Sequence, residues 1–129
     1  MNTNKILIAD DEPYVVRVLK LVLQKEGYEV TCVNNGKQAL ESYRKARPDI
    51  VVTDVIMPYM SGRELVEEVR ETDGDHETPF VVMTSTLESE NRDWVSGVGN
   101  VSFVGKPVSP RELVRIVNDY FSSNSASGV

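Results

Sequence analysis

Residues 49–54 read DIVVTD, a short run of Ile and Val that stops on an aspartate. The run is too short for a helix, and its apolar residues are continuous where a half-exposed strand would alternate them with polar ones. Strands covered on both faces read this way, and they belong to parallel sheets flanked by helices. Working outward, with 49–53 as the third of five, similar runs recur at 5–9 (KILIA), 29–33 (EVTCV), 80–83 (FVVM) and 102–105 (SFVG). Longer segments with helical spacing separate them. Val15, Val18, Leu19, Val22 and Leu23 recur every three or four residues between Pro13, suited to a first helical turn, and Gly27, suited to a stop. A second helix is expected over 37–46, ahead of Pro48, and a third over 62–71 with Leu65, Val66 and Val69 on one side. The last, over 110–121, carries a stripe of Leu113, Ile116, Val117, Tyr120 and Phe121. The fourth, 88–96, is the weak one: Gly97 and Gly99 break it, and it is expected to be short or mobile.

Strict alternation of five strands with five helices, joined by short right-handed connections, gives an α/β doubly wound fold. Its best architecture is a flavodoxin-like five-stranded parallel sheet in the order 2-1-3-4-5. The chain has 129 residues, the length of one domain, and its 40% hydrophobic content suffices for one core. The domain is expected over 1–121. Residues 122–129 (SSNSASGV) have almost nothing to bury and are expected to form a flexible C-terminal tail.

Twenty acidic against 14 basic residues leave a net charge of −6, and Lys and Arg occur only scattered or in pairs. Nucleic-acid surfaces need clustered cations to neutralise phosphates, so no direct nucleic-acid partner is expected. The first residues lack an apolar signal segment, and no apolar run approaches the ~18 residues that span a bilayer. No membrane association is expected, and the location expected is cytoplasmic. Cys32, the single cysteine, lies in an apolar strand and reads as a packing residue.

In such sheets ligands bind beyond the carboxyl ends of the strands. Strand one ends in Asp10-Asp11-Glu12, strand three in Asp54, strand four in Thr84-Ser85-Thr86 and strand five in Lys106-Pro107. Singly, each has an ordinary explanation: a helix cap, a strand residue, a solvated lysine. Jointly, the 2-1-3-4-5 order converges Asp10, Asp11 and Asp54 on one crevice, with Thr84 and Lys106 facing them. Two carboxylates about 4 Å apart repel by ~4 kcal/mol at an effective dielectric near 20, so such a cluster needs cations. Lys106 supplies one. An all-oxygen set of carboxylates, a carbonyl and waters suits Mg²⁺, which commonly binds phosphate as well.

These pieces, in order and near the expected spacing, resemble the receiver domains of two-component response regulators, the chemotaxis-regulator-like family. They are the acidic pair in LIADDEP, Asp54 in VVTDVIMPYMSG, Thr84 in VVMTS, and Phe103 with Lys106-Pro107 in FVGKP. The resemblance implies that Asp54 accepts a phosphoryl group from a sensor histidine kinase or phosphotransfer protein. It further implies that Asp11, Asp54 and the backbone carbonyl of Ile56 ligate Mg²⁺, with Asp10 acting through a bound water. Thr84 and Lys106 would hold phosphoryl oxygens, and the Lys106-Pro107 bond would be cis. Thr84 and Phe103 would form the switch that alters the surface of the fourth helix, fifth strand and fifth helix for a downstream protein. The chain would then be no enzyme beyond its own phosphorylation and slow dephosphorylation.

A haloacid-dehalogenase-type phosphatase also uses a strand-end aspartate and Mg²⁺, but it needs a second aspartate two positions on, where Ile56 stands. A slow Mg²⁺-dependent phosphohydrolase is the alternative kept in view. There is no phosphate-binding glycine loop of the G-x-x-x-x-G-K-[ST] kind, and acids stand where a flavin-binding loop would carry Ser and Thr. The acidic stretch 73–77 lacks the calcium pattern and reads as a solvated turn, and His76, within it, has no helix context for a phosphodonor. Neither Ile56 nor Thr86 offers a carboxylate or amide to orient water, so slow self-dephosphorylation is expected.

Overall fold

The computed structural model describes residues 4–85 and 99–127, with side chains to residue 122. Five strands, β1 (Lys5–Ala9), β2 (Glu29–Val33), β3 (Ile50–Asp54), β4 (Phe80–Thr84) and β5 (Val101–Gly105), alternate with α1 (Pro13–Lys25), α2 (Gly36–Ala46) and α3 (Gly62–Glu71), and α4 (Pro110–Ser127) follows β5. The expected helix at 88–96 and Thr86 lie outside the described residues. All pairings are parallel, and the sheet order is β2-β1-β3-β4-β5. The doubly wound order expected from the alternation is therefore the one found.

Strand periodicity explains how two cores form on one sheet. Leu7, Ala9, Val51, Phe80 and Val82 face one side, where Ala39, Leu40 and Tyr43 of α2 and Leu65, Val66 and Val69 of α3 cover them. Their neighbours Ile6, Ile8, Ile50, Val52, Val81 and Met83 face the other, against Leu19 and Leu23 of α1 and Leu113 and Val117 of α4. Every residue of β3 and β4 is buried, as the unbroken runs require.

Helix ends follow local chemistry. Asn35 caps α2 by accepting from the Gln38 amide at 2.8 Å. Ser61 and Glu64 form a capping box on α3. Arg47 closes α2 in the left-handed region at φ 50° just before Pro48. The final helix, expected over 110–121, continues to Ser127.

The stretch 73–77 is not simply a solvated turn. Asp73 pairs with Arg44 at 2.8 Å. Asp75 accepts from Tyr43 Oη, from Thr78 Oγ1 and from the amides of Glu77 and Thr78. Beneath it, buried Arg70 donates to the carbonyls of Asp75, Thr78 and Gly99 and lies over the Phe80 ring. This network ties the far end of α3 to the entrance of β5.

Candidate functional site

Strand register builds the site. Ala9, the last residue of β1, pairs with both Val33 and Thr53, and the next amide, of Asp10, continues the ladder to the Val33 carbonyl at 3.2 Å. Asp54 is the last residue of β3, opposite Met83. Thr84 ends β4 opposite Gly105, and the Lys106 amide donates to the Thr84 carbonyl at 2.7 Å. Carboxyl ends of three adjoining strands thus deliver Asp10, Asp54 and Thr84 side by side, with Lys106 arriving from the fourth.

Two glycines let the surrounding loops close on these ends. A Cβ on Gly62, at the start of α3, would fall 2.2 Å from the Asp54 carbonyl oxygen, and one on Gly36, at the start of α2, 2.0 Å from the Met60 oxygen. Close backbone approach, rather than unusual dihedrals, is what these positions require. Gly62 also donates its amide to Val55 O at 2.8 Å, fastening α3 just beyond Asp54.

At the centre, Lys106 Nζ lies 2.9 Å from Asp54 Oδ2, 3.3 Å from Asp10 Oδ2 and 3.3 Å from Glu12 Oε1. Asp10 is 1% exposed and Asp54 8%. Asp10, Glu12 and Asp54 each place an oxygen within 4.8 Å of the others. Burial, reinforced by the charge of Asp54, pushes the Asp10 carboxyl above its ordinary value, against the opposing pull of the Glu12 amide and Lys106. For Lys106, burial works to lower the pKa. The hydrogen bond to Asp54 and the charges of Asp10 and Asp54 outweigh it and hold the ammonium well above the ordinary lysine range. The lysine is a fixed positive charge.

Of the residues singled out in the sequence, Asp10, Asp54 and Lys106 meet in one place. Thr84 is buried, 4% exposed, on the neighbouring strand end. Asp11 is exposed; the three carboxylates that come together are those of Asp10, Asp54 and Glu12, the last an acid to which the strand-end reading assigned no role. Ile56 is 77% exposed at the rim. Phe103 is half-buried on β5 and packs against the core cluster on the α2–α3 side. The Lys106-Pro107 bond is cis. Cys32 is half-buried, and burial raises its thiol pKa, as suits a packing role.

A divalent cation fits this donor set. Three carboxylates face a single lysine, leaving a net charge of about −2 to be balanced. Asp10 Oδ2 is shielded from water and makes no hydrogen bond among the described residues, with only the 3.3 Å ion pair to Lys106. A buried carboxylate oxygen without a hydrogen bond is costly unless a cation completes it.

Comparison with known proteins gives a consistent picture. The family model described as "Response regulator receiver domain" matches residues 6–118. An uncharacterized 14.6 kDa protein from the sodA1 3′ region of Leptolyngbya boryana is 36% identical over 115 residues, covering 89% of this chain and 88% of that one. Transcriptional regulatory protein ResD of Bacillus subtilis strain 168 is 32% identical over 133 aligned positions, covering 96% of this chain and 54% of ResD, so the chain spans about half of that regulator. Among solved structures, chemotaxis response regulator CheY4 of Vibrio cholerae superposes with a TM-score of 0.83 at 31% identity, covering 92% of this chain and 98% of that one. Among the described residues no helix is long and apolar enough to cross a membrane.

Proposed function

This chain belongs to the response regulator receiver domain family, and from that premise we propose that Asp54 is its phosphoacceptor, with Lys106 and Thr84 as the groups that hold the phosphoryl oxygens. The observation that carries the reading is the 2.9 Å contact of Lys106 Nζ with Asp54 Oδ2, at the carboxyl edge of the sheet and beside buried Asp10. In the transfer, a carboxylate oxygen of Asp54 attacks phosphorus. One O–P bond forms as the bond from phosphorus to the donor breaks, and the electron pair leaves with the donor group: an imidazole, which takes a proton from water, or acetate when acetyl phosphate is used. Phosphoryl transfer asks little covalent help of a protein and much electrostatic positioning. A lysine held charged by its neighbours meets that need from the strand end, and Thr84 adds a hydroxyl.

Asp54 and Asp10, with Asp11 and the Ile56 carbonyl as the family resemblance implies, would hold Mg²⁺, which when bound neutralises charge on the phosphoryl oxygens. A sensor histidine kinase or phosphotransfer protein is the proposed donor. The receiving partner is a protein that reads the surface around β5 and α4, with Thr84 and Phe103 as the switch. The phosphohydrolase alternative gains no support, because Ile56 supplies no acid where that chemistry wants one.

The test is incubation with acetyl phosphate and Mg²⁺, followed by intact-mass measurement. A single, base-labile phosphoryl adduct that disappears in Asp54→Ala is expected, together with no sustained turnover of p-nitrophenyl phosphate. Sustained turnover without an adduct would refute the reading.

A further inference from the structure

Glu12 precedes Pro13, where clash with the proline ring confines the backbone to extended conformations, and its φ of −95° and ψ of 104° are of that kind. It is therefore the N-cap of α1, a position whose side chain ordinarily accepts a hydrogen bond from the first helical turn. Glu12 makes no such bond. Its amide donates to Asp10 Oδ1 at 2.9 Å, and its carboxylate reaches across the site to Lys106 Nζ at 3.3 Å. A residue that forgoes its local role for a distant one points to a function for the distant contact.

An ammonium has three N–H groups, and Lys106 faces three carboxylates, those of Asp54, Asp10 and Glu12. A phosphoryl group on Asp54 would add negative charge and new acceptor oxygens where Glu12 and Asp54 already have oxygens within 4.8 Å of each other. The contact to Glu12 is the one that can yield. Its side chain is 60% exposed and free to swing outward, whereas Asp10 is buried.

Resting on the assignment of Asp54 as phosphoacceptor, we propose that Glu12 is a positioning residue that holds Lys106 in the unmodified site and resists its transfer to an arriving phosphoryl group, so that the charge of Glu12 slows phosphorylation of Asp54. Glu12 touches no reacting atom. It acts through the lysine and through repulsion of incoming negative charge.

The experiment compares the full chain with Glu12→Gln and Glu12→Ala in saturating Mg²⁺, reading the rate of adduct formation from acetyl phosphate. Glu12→Gln preserves length and an acceptor oxygen but removes the charge. The expected rate rises about three- to tenfold, the scale of unit charges ~5 Å apart near a wet surface. That gain should shrink toward unity as NaCl is raised, since exposed charges are screened, and Glu12→Ala should behave alike. A merely structural role would move the melting temperature and leave no salt-dependent rate gain. A rate at or below the parental one, or a gain indifferent to salt, overturns the proposal. So does slower phosphorylation with Mg²⁺ affinity weakened tenfold or more, which would make Glu12 a metal ligand instead. If the parental chain itself takes up no phosphoryl group while melting normally, the phosphoacceptor reading has failed, and the proposal with it.

Discussion

Replacing Asp10 by Asn should stabilise the metal-free protein at neutral pH, although Asp10 is buried and ion-paired. At an effective dielectric near 20, its attraction to Lys106 at 3.3 Å is worth ~5 kcal/mol. Repulsion from Asp54, at up to 4.8 Å, returns ~3.5 kcal/mol, and that from exposed Glu12 adds ~1 kcal/mol at a water-like dielectric. These terms cancel to within ~1 kcal/mol, so the cost of burying the charge decides the sign, and that cost is several kcal/mol for an ion. Asparagine keeps an oxygen for the Glu12 amide and offers an NH₂ to the neighbouring carboxylates. After its own burial cost is set against the gain, ~1–2 kcal/mol of stabilisation remains. With an unfolding entropy of ~2.1 cal/mol/K per residue, that is a rise of ~4–7 °C in melting temperature for this chain. The pH dependence follows from the raised carboxyl pKa. Between the unfolded value of 3.8 and the higher folded value, the native state binds more protons than the unfolded state, so stability falls as pH rises. The variant should lack that fall. Thermal melts in chelator, from pH 4 to 8, check it. Mg²⁺ at a hundred times its Kd should stabilise the parental chain by ~2.7 kcal/mol and the variant by less, narrowing or reversing the order. A metal-free Asp10→Asn protein that melts lower than the parent at pH 7 would refute the reasoning.

Other perturbations probe separate links. Gly62→Ala forces a methyl group to within 2.2 Å of the Asp54 carbonyl oxygen. It should cost ~1–3 kcal/mol or more by denaturant unfolding and slow phosphorylation by displacing the acceptor strand end. Tyr43 should ionise at about 12, because burial and its hydrogen bond to Asp75 hold the phenol protonated; alkaline difference spectra should show this late component move toward the ordinary value of 10.0 in Asp75→Asn. Ile56, exposed at the rim, cannot orient water, so the Ile56→Asn adduct should decay several-fold faster than the parental one. Equal or slower decay in that variant would remove the argument.

Much of this was legible because backbone physics is periodic. The runs at 5–9 and 29–33 became strands at their expected bounds, while β3 begins and ends one residue later than expected, β4 ends one residue later and β5 begins one residue earlier, so that β3 and β4 take in Asp54 and Thr84. The site followed from topology: once β3 lies between β1 and β4, their carboxyl ends must meet. Side-chain reach was not legible. Asp11 and Glu12 both follow Asp10, and spacing alone did not tell which carboxylate would extend to Lys106. The signal available was Pro13, which fixes Glu12 in extended backbone at a cap position that its side chain then leaves unfilled. The Arg70 network was invisible for a different reason. Its partners are carbonyls of Asp75, Thr78 and Gly99, which carry no side-chain pattern, and it joins residues 29 positions apart.

A crystal structure of the full chain with Mg²⁺ and beryllofluoride, a tetrahedral phosphoryl mimic, bears most directly on whether this carboxylate is built to be esterified. Density continuous with an Asp54 carboxylate oxygen is expected, with Lys106 Nζ against a fluorine and an ion among the neighbouring acids. An empty crevice, with Lys106 turned toward solvent, would contradict it.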